Sequence, residues 1–446
     1  MPLYATTRRN RLRILSALLL LAAAGEFLVR GPVRFVSDGM AWNDFLSPYI
    51  QADAWVHGRD PYSASSIVLL WPSGNPQPVF IARETADGSL PMKRGIPSLY
   101  PITSLVLLAP FVLLKWHAAE TLWIAINTIA LLVSLLAMIA LSGTSWRHLR
   151  VQFFLAAALA LAPLHTGLAT GNPAVLAIAL TIAAAWSDFA RRAVTCGILL
   201  ALAICLKPTI AFALFFYYAL RRRWTIVAVT ATLTALISTV AASWLAHEKV
   251  AWISSYFENN HKILAPGGLA DFTSADPLRF NLVNTQVLFY SLFGSISLAQ
   301  WLSLFLATAL FAGWLLFYEK HRSSSDEFLE ISALFVLSLL PVYHRFYDAG
   351  LLLWPLAWIL LVGNRRTHLL TMLALIPFFV PGAAILDRLT QQGRVPASVA
   401  HSGGWNKIVM PHEIWSLIAL SIMLLFFLST KRHWGQNAAT CNSLTG

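Results

Sequence analysis

The chain has 446 residues, 57% of them hydrophobic and only 12% charged. Soluble globular domains carry about 25% charged residues, so a soluble protein is excluded and most of the chain requires an apolar solvent. The net charge of +12 would point to nucleic acid in a soluble protein, but here Lys and Arg sit in short segments between apolar runs, where they set membrane orientation.

Lipid offers no hydrogen-bond partner to an exposed amide, so a spanning chain is helical or a closed barrel. The apolar runs here are continuous rather than alternating, which selects helices. The first run, 14–30, follows Arg8, Arg9, Arg11 and Arg13; its Ala22-Ala23-Ala24 also fits a cleavable signal peptide. A polar segment rich in Trp, Pro, Asp and Gly fills 31–99. Apolar runs then recur at 100–114, 118–142, 151–168, 172–189, 194–206, 208–220, 224–246, 298–318, 327–342, 347–363, 367–386 and 414–430.

The positive-inside rule places Arg147 with Arg150, Arg191 with Arg192, Arg221 to Arg223, Lys320 with Arg322, Arg365 with Arg366, and Lys431 with Arg432 on the cytoplasmic side. The basic N-terminus joins them only if one early run fails to cross. The run 100–114, preceded by Tyr100-Pro101 and interrupted by Pro110, is assigned as an outer half-helix. The expectation is a single all-α transmembrane domain over 1–430 with twelve crossings and both termini cytoplasmic. Its outer loops are 31–117, with interfacial helices, 247–297 and 387–413, and a polar tail occupies 431–446. Pro208 predicts two short helices meeting at Lys207, and Gly171-Asn172-Pro173 a turn on the same outer side. The segment 74–95 reads as an exposed excursion. Cys196 and Cys205 share one apolar run and Cys441 lies in the tail, which offers neither a disulfide framework nor a metal motif.

The first outer loop carries Trp42-Asn43-Asp44-Phe45, Tyr49 and Gly58-Arg59-Asp60-Pro61-Tyr62. A carboxylate hemmed by aromatics at a membrane surface suits a general base; the same residues also read as a helix cap within an aromatic belt. Asp38 is the rival base, whereas Asp53 and Asp60 read as loop and turn residues. The outer side holds Lys207, Arg279, His344 and Arg345, with Arg59, His261 and Lys262 farther along. Lys207 reads either as a phosphate ligand at a helix junction or as a snorkelling lysine, and Tyr343 to Asp348 either as a ligand cluster or as an aromatic belt with Arg345 and Asp348 paired.

Asp44-Phe45, Tyr49, Ala52, Ala54, Gly58 and Pro61-Tyr62, followed by Tyr100-Pro101 and Pro110-Phe111, resemble the opening of glycosyltransferase family 87. Gly171-Asn172, Gly197, Lys207-Pro208 and Arg221 to Trp224 resemble its middle region, and Pro341 to Leu352 echoes it more loosely. Members commonly show Gly-Gln with a following Asn where this chain has Gly171-Asn172-Pro173, so the resemblance carries no side-chain role to that turn.

The resemblance implies a GT-C fold and a mannosyltransferase of the plasma membrane. A sugar would pass from a polyprenyl phosphate to a hydroxyl of a glycolipid or glycan on the outer face, by inversion and without metal or cofactor. Asp44 matches the catalytic base, and Lys207, His344, Arg345, Arg279, Tyr49 and Tyr62 are expected to contact the donor phosphate or sugar. A lipid or sugar transporter is the rival from another class; it is expected to show an internal repeat and charge at mid-membrane, whereas here ionisable residues gather on one face.

Overall fold

The computed structural model describes residues 2–37, 44–72, 100–276, 278–320, 326–363 and 365–430, with side chains from residue 11 except at 365–368. Asp38, Trp42, Asn43, Leu99, the whole 74–95 excursion, Arg322, Lys431, Arg432 and Cys441 lie outside them. Among the described residues the chain is all-helical, with one isolated antiparallel bridge between Leu282 and Arg345.

In chain order the helices are α1 (Pro2–Leu28), α2 (Arg34–Ser37), α3 (Leu46–Val56), α4 (Ala64–Leu69), α5 (Ile102–Val112), α6 (Trp116–Leu141), α7 (Leu149–Ala160) and α8 (Ala162–Thr170). They continue with α9 (Ala174–Phe189), α10 (Ala193–Leu206), α11 (Pro208–Leu220), α12 (Trp224–His247), α13 (Trp252–Leu264), α14 (Thr285–Phe293) and α15 (Ile296–Lys320). The last are α16 (Glu327–Ser338), α17 (Leu353–Ala357), α18 (Arg365–Leu375), α19 (Gly382–Gln391), α20 (Ala397–Ala400) and α21 (His412–Thr430).

Among the described residues, five helices are long and apolar enough to cross a membrane: Arg11–Ser37, Trp116–Leu141, Trp224–His247, Ile296–Lys320 and His412–Thr430. Two bent pairs raise the number to seven if each is one span. Such a chain is a multi-pass membrane protein. The bends have local causes. Pro163 lacks an amide and follows extended backbone at Leu161, where α7 and α8 meet at 45°. Pro377 and Pro381 lie at the 43° break before α19, and that helix reaches Gln391, beyond the run ending at 386 that the sequence suggested. The run 347–363 is a 3-10 turn, the short α17 and a π-turn, with Gly350 and Pro355 interrupting regular α geometry. The first span also continues past residue 30 to Ser37, because a π-turn at Val29–Val33 absorbs Pro32 without ending the helix.

The chain divides into two compact units. One holds residues 1–26, 138–164 and 272–446; the other holds 27–137 and 165–271. In the first, α16 packs on α17 and α21, and α15 packs on α14 and α21. Phe272, Leu282, Leu288, Met410 and Ile414 form a satellite core beside them.

In the second unit, α10 packs between α9 and α12, and α3 lies against α5. The aromatic centre of this unit is Phe45, stacked on Trp123 at 4.6 Å and on Trp116 at 5.8 Å, with Phe111 edge-on at 5.7 Å. Trp123 Nε1 donates to the Gly171 carbonyl at 2.7 Å, tying this cluster to the turn between α8 and α9. Gly171 has φ +66, and a Cβ there would run into the Phe35 ring and come within 3.2 Å of Phe45 Cβ. Left-handed backbone costs a non-glycine residue about 1–2 kcal/mol, and the overpacking adds about 1–3 kcal/mol. Gly171→Ala is therefore expected to lower the unfolding temperature of the detergent-solubilised protein by several degrees, whereas Gly143→Ala, with open space around it, loses only the backbone part.

Candidate active site

The polar centre of the second unit is built around a side chain to which sequence gave no role. Asn172 is buried in the turn after α8. Its Oδ1 accepts from the Ala174 amide at 2.9 Å and from Lys207 Nζ at 3.3 Å, and its Nδ2 donates to Asp44 Oδ2 at 2.9 Å and to the Tyr100 hydroxyl at 3.2 Å. Both acceptor positions and both donors are used, and the orientation is forced: a reversed amide would turn its NH2 toward an ammonium and an N–H. The amide thus bridges a carboxylate and an ammonium.

Each member of the group arrives for a local reason. Asp44 precedes α3, and its own amide donates to the Thr170 carbonyl at 2.6 Å, so the carboxylate is fastened to the end of α8 by backbone as well as side chain. Lys207 occupies the break between α10 and α11, with φ −154 and ψ 89, because Pro208 starts the next helix and cannot continue the last. Tyr100 precedes Pro101, the residue before α5. Asp44, Tyr100 and Lys207 are half-buried.

The two tyrosines of the matched stretch build this site from behind. Tyr62 is buried and its hydroxyl donates to the Tyr100 carbonyl at 2.9 Å; burial, with Tyr256 and Asp60 nearby, pushes it above the usual tyrosine range. Asn259 of α13 donates to the Tyr62 carbonyl at 2.9 Å. The Tyr49 hydroxyl donates to the Leu114 carbonyl at 3.1 Å, and burial, then the Asp53 charge, raises it too. Both phenols therefore stay protonated and are occupied as donors to backbone. Asp60 forms the expected turn, accepting from the Tyr62 amide at 2.9 Å.

Arg279, His344 and Arg345 fall in the first unit and are brought together by the Leu282–Arg345 bridge. The Val283 amide donates to the His344 carbonyl at 3.0 Å. His344 is fully buried, one ring nitrogen 3.1 Å from Asp348 Oδ2 and the other 3.2 Å from the Ser338 carbonyl. Where the sequence suggested an accessible ligand, the ring instead holds the turn after α16. Asp348 also accepts from the Arg345 amide at 3.2 Å, Arg345 Nε donates to the Tyr343 hydroxyl at 2.7 Å, and the Arg279 guanidinium lies 4.6 Å from the centre of the Phe280 ring. Among the described residues no three His, Cys, Asp or Glu side chains converge as a metal set.

The sequence model of glycosyltransferase family 87 matches residues 99–342, more than half of the chain. The chain belongs to glycosyltransferase family 87. No curated protein and no solved structure matches it significantly. The family 87 match contains Tyr100, Asn172 and Lys207, three of the four side chains of the polar centre, while Asp44 precedes it. Membership makes the protein a membrane glycosyltransferase, which needs a sugar donor and an acceptor.

Asn172 could have been found in the sequence only through its Asn-Pro pair, which favours a side chain turning back onto its own backbone; its link to Asp44 spans 128 residues. Removing the amide leaves several half-buried partners unmatched, each costing about 1–3 kcal/mol. Asn172→Leu is expected to lower both unfolding temperature and glycosyl transfer, and Asn172→Asp to lower transfer further by setting a second carboxylate against Asp44, read by thermal melts and turnover.

Asp53, on α3, is paired with His57 at 2.8 Å, yet burial raises it above the usual carboxylate range against the lowering effect of His57. A carboxyl raised in the folded state contributes stability below its unfolded pKa and loses it as pH rises through the folded value. Asp53→Asn is therefore expected to raise the unfolding temperature at pH 7, with the gain shrinking as pH falls toward 4, measured by melts across that range.

Proposed function

We propose that this family 87 enzyme transfers a sugar, mannose by the family likeness, from a polyprenyl phosphate to a hydroxyl of a glycolipid or glycan. The reaction takes place on the outer face of the plasma membrane, in a GT-C arrangement of twelve crossings with both termini cytoplasmic. The observation that carries the reading is the Asp44 carboxylate, held at 2.9 Å by Asn172 and by its own amide at 2.6 Å on Thr170, beside an aromatic wall and the Lys207 ammonium.

The chemistry is one displacement. The acceptor oxygen forms a bond to the anomeric carbon as its proton passes to Asp44; the bond from that carbon to the phosphate oxygen breaks, and lipid phosphate leaves with the electron pair, inverting the centre. Asn172 holds one carboxylate oxygen and so fixes the orientation of the group that takes the proton. Lys207 fixes the Asn172 carbonyl and supplies positive charge beside the developing phosphate charge. A lipid phosphate leaves readily once its charge is met, so the reading requires no general acid, metal or cofactor.

Asp44→Asn keeps the shape and can still accept a hydrogen bond, but cannot take a proton at this step. It is expected to lower transfer by about 10²–10⁴-fold while donor binding is retained, measured with purified protein, synthetic polyprenyl-phosphate sugars and membrane glycolipid extract. Unchanged transfer in Asp44→Asn would remove Asp44 from the chemistry and bring Asp38 forward; absence of transfer by the wild type from any donor would favour the transporter reading.

A further inference from the structure

The end of the first membrane helix runs along α8 toward Asp44. Gly31 is buried in the π-turn between α1 and α2, and a Cβ there would lie 3.4 Å from Leu168 Cβ and 3.6 Å from His165 Cβ. One helical turn later the Phe35 ring covers Gly171. The seam therefore follows α8 from His165 to the turn that carries Asn172, and it ends where the Thr170 carbonyl accepts the Asp44 amide. All of these residues belong to the second unit.

Arg30 and Arg34 each stand one position before a seam contact, Gly31 and Phe35, so they flank the seam instead of entering it, and both are exposed. Their charges act on His165, which is 3% exposed and whose Nε2 has no hydrogen-bond partner among the described residues. A buried ring nitrogen left without a partner is costly, and such groups mark places where a further polar atom belongs. Two guanidinium groups one turn apart offer planar forks matched to phosphate oxygens. The π-turn between them is a device that re-aims side chains at the cost of regular helix, and such bulges occur often at functional sites.

We propose that Arg30, Arg34 and His165 form a binding site for the phosphodiester of the lipid-linked sugar donor. The site anchors the donor at the seam so that the sugar reaches the Asp44 carboxylate at its end. The inference rests on the lipid-phosphate reading given above and deepens it: Arg30, Arg34 and His165 anchor the phosphodiester from the first span and α8, in addition to the charge that Lys207 supplies. Phosphate chemistry at a membrane surface has two sources, the donor and the head groups of ordinary anionic lipids, and position decides for the donor. A head-group site needs no path to the carboxylate, whereas this seam ends on it.

The test is binding of a short-chain polyprenyl phosphate, without sugar, to the purified full-length protein in neutral detergent. The matching polyprenol and excess phosphatidylglycerol serve as controls. Wild type and Asp44→Asn are expected to bind the phosphate and not the alcohol. Arg30→Gln and Arg34→Gln should each weaken binding about tenfold, the loss of one charge-assisted contact; the double variant should lose about 100-fold, with part restored by Lys at both positions. His165→Phe, which keeps a ring in the core but removes Nε2, should weaken binding less than either arginine change. With a polyprenyl-phosphate sugar, the double variant should raise KM for donor and keep kcat at saturation. Equal binding in wild type and the double variant, equal displacement by phosphatidylglycerol at the same concentration, or no binding by wild type would overturn the site. Arginine-dependent binding without transfer from any polyprenyl-linked sugar would sink the donor reading but leave the phosphate site, whereas transfer with unchanged KM in the double variant would sink the site and leave the reading.

Discussion

The Asn172 amide has four hydrogen-bonding positions, and the protein fills all of them from four different segments: the Ala174 amide of α9, Lys207 at the α10–α11 break, Tyr100 before α5 and Asp44 before α3. A fully satisfied buried amide is rigid, because any rotation forfeits several bonds at once in surroundings that offer no water to replace them. The geometry of the carboxylate follows from that rigidity. Phe45 and Trp123 add an apolar brace, and Trp123 closes the loop by donating to the Gly171 carbonyl. Gly171 itself admits no side chain, since the space is filled by Phe35.

The same accounting of backbone groups explains the irregular helices. A membrane chain has to satisfy its amides and carbonyls internally, and each proline leaves one carbonyl without its helical donor. The protein places these defects where another structural device meets them. Pro32 is absorbed in a π-turn, Pro163 gives the bend between α7 and α8, and Pro208 opens α11 while exposing Lys207 to the polar centre. Breaks in the helices and polar chemistry thus coincide, because a broken helix is the one place in such a fold where a side chain and free backbone groups can face the same point.

Tyrosine placement shows how the segment 44–72 is held. Tyr49 and Tyr62 each give a hydroxyl to a main-chain carbonyl, at Leu114 and Tyr100, on the far side of the loop. Trp55 and Trp244 do likewise: Trp55 Nε1 donates to the Ala241 carbonyl at 3.0 Å and Trp244 Nε1 to the Trp55 carbonyl at 2.8 Å. These amphipathic rings combine apolar area with one polar tip, which suits a layer lying between hydrocarbon and water. Tyr49 and Tyr62 thus brace this segment through their hydroxyls.

Composition and residue order determined the solvent, the helical class, the family likeness and the helix breaks, since each depends on local properties: apolar run length, the missing proline amide, and motif order. Lys207 was legible as a charged residue at a predicted helix break, and Asp44 through its place in the family motif. Tertiary structure decided the rest. The Asn172 amide joins residues 128, 72 and 35 positions away, and no local pattern encodes those separations. His344 reads in sequence as an exposed histidine between aromatics, but the β-bridge and Asp348 draw it into full burial. Arg30 and Arg34 fall at the apparent end of an apolar run, where arginine needs no explanation. Only the continuation of that helix along α8, with Gly31 against Leu168 and His165, brings them beside His165 and the approach to the carboxylate.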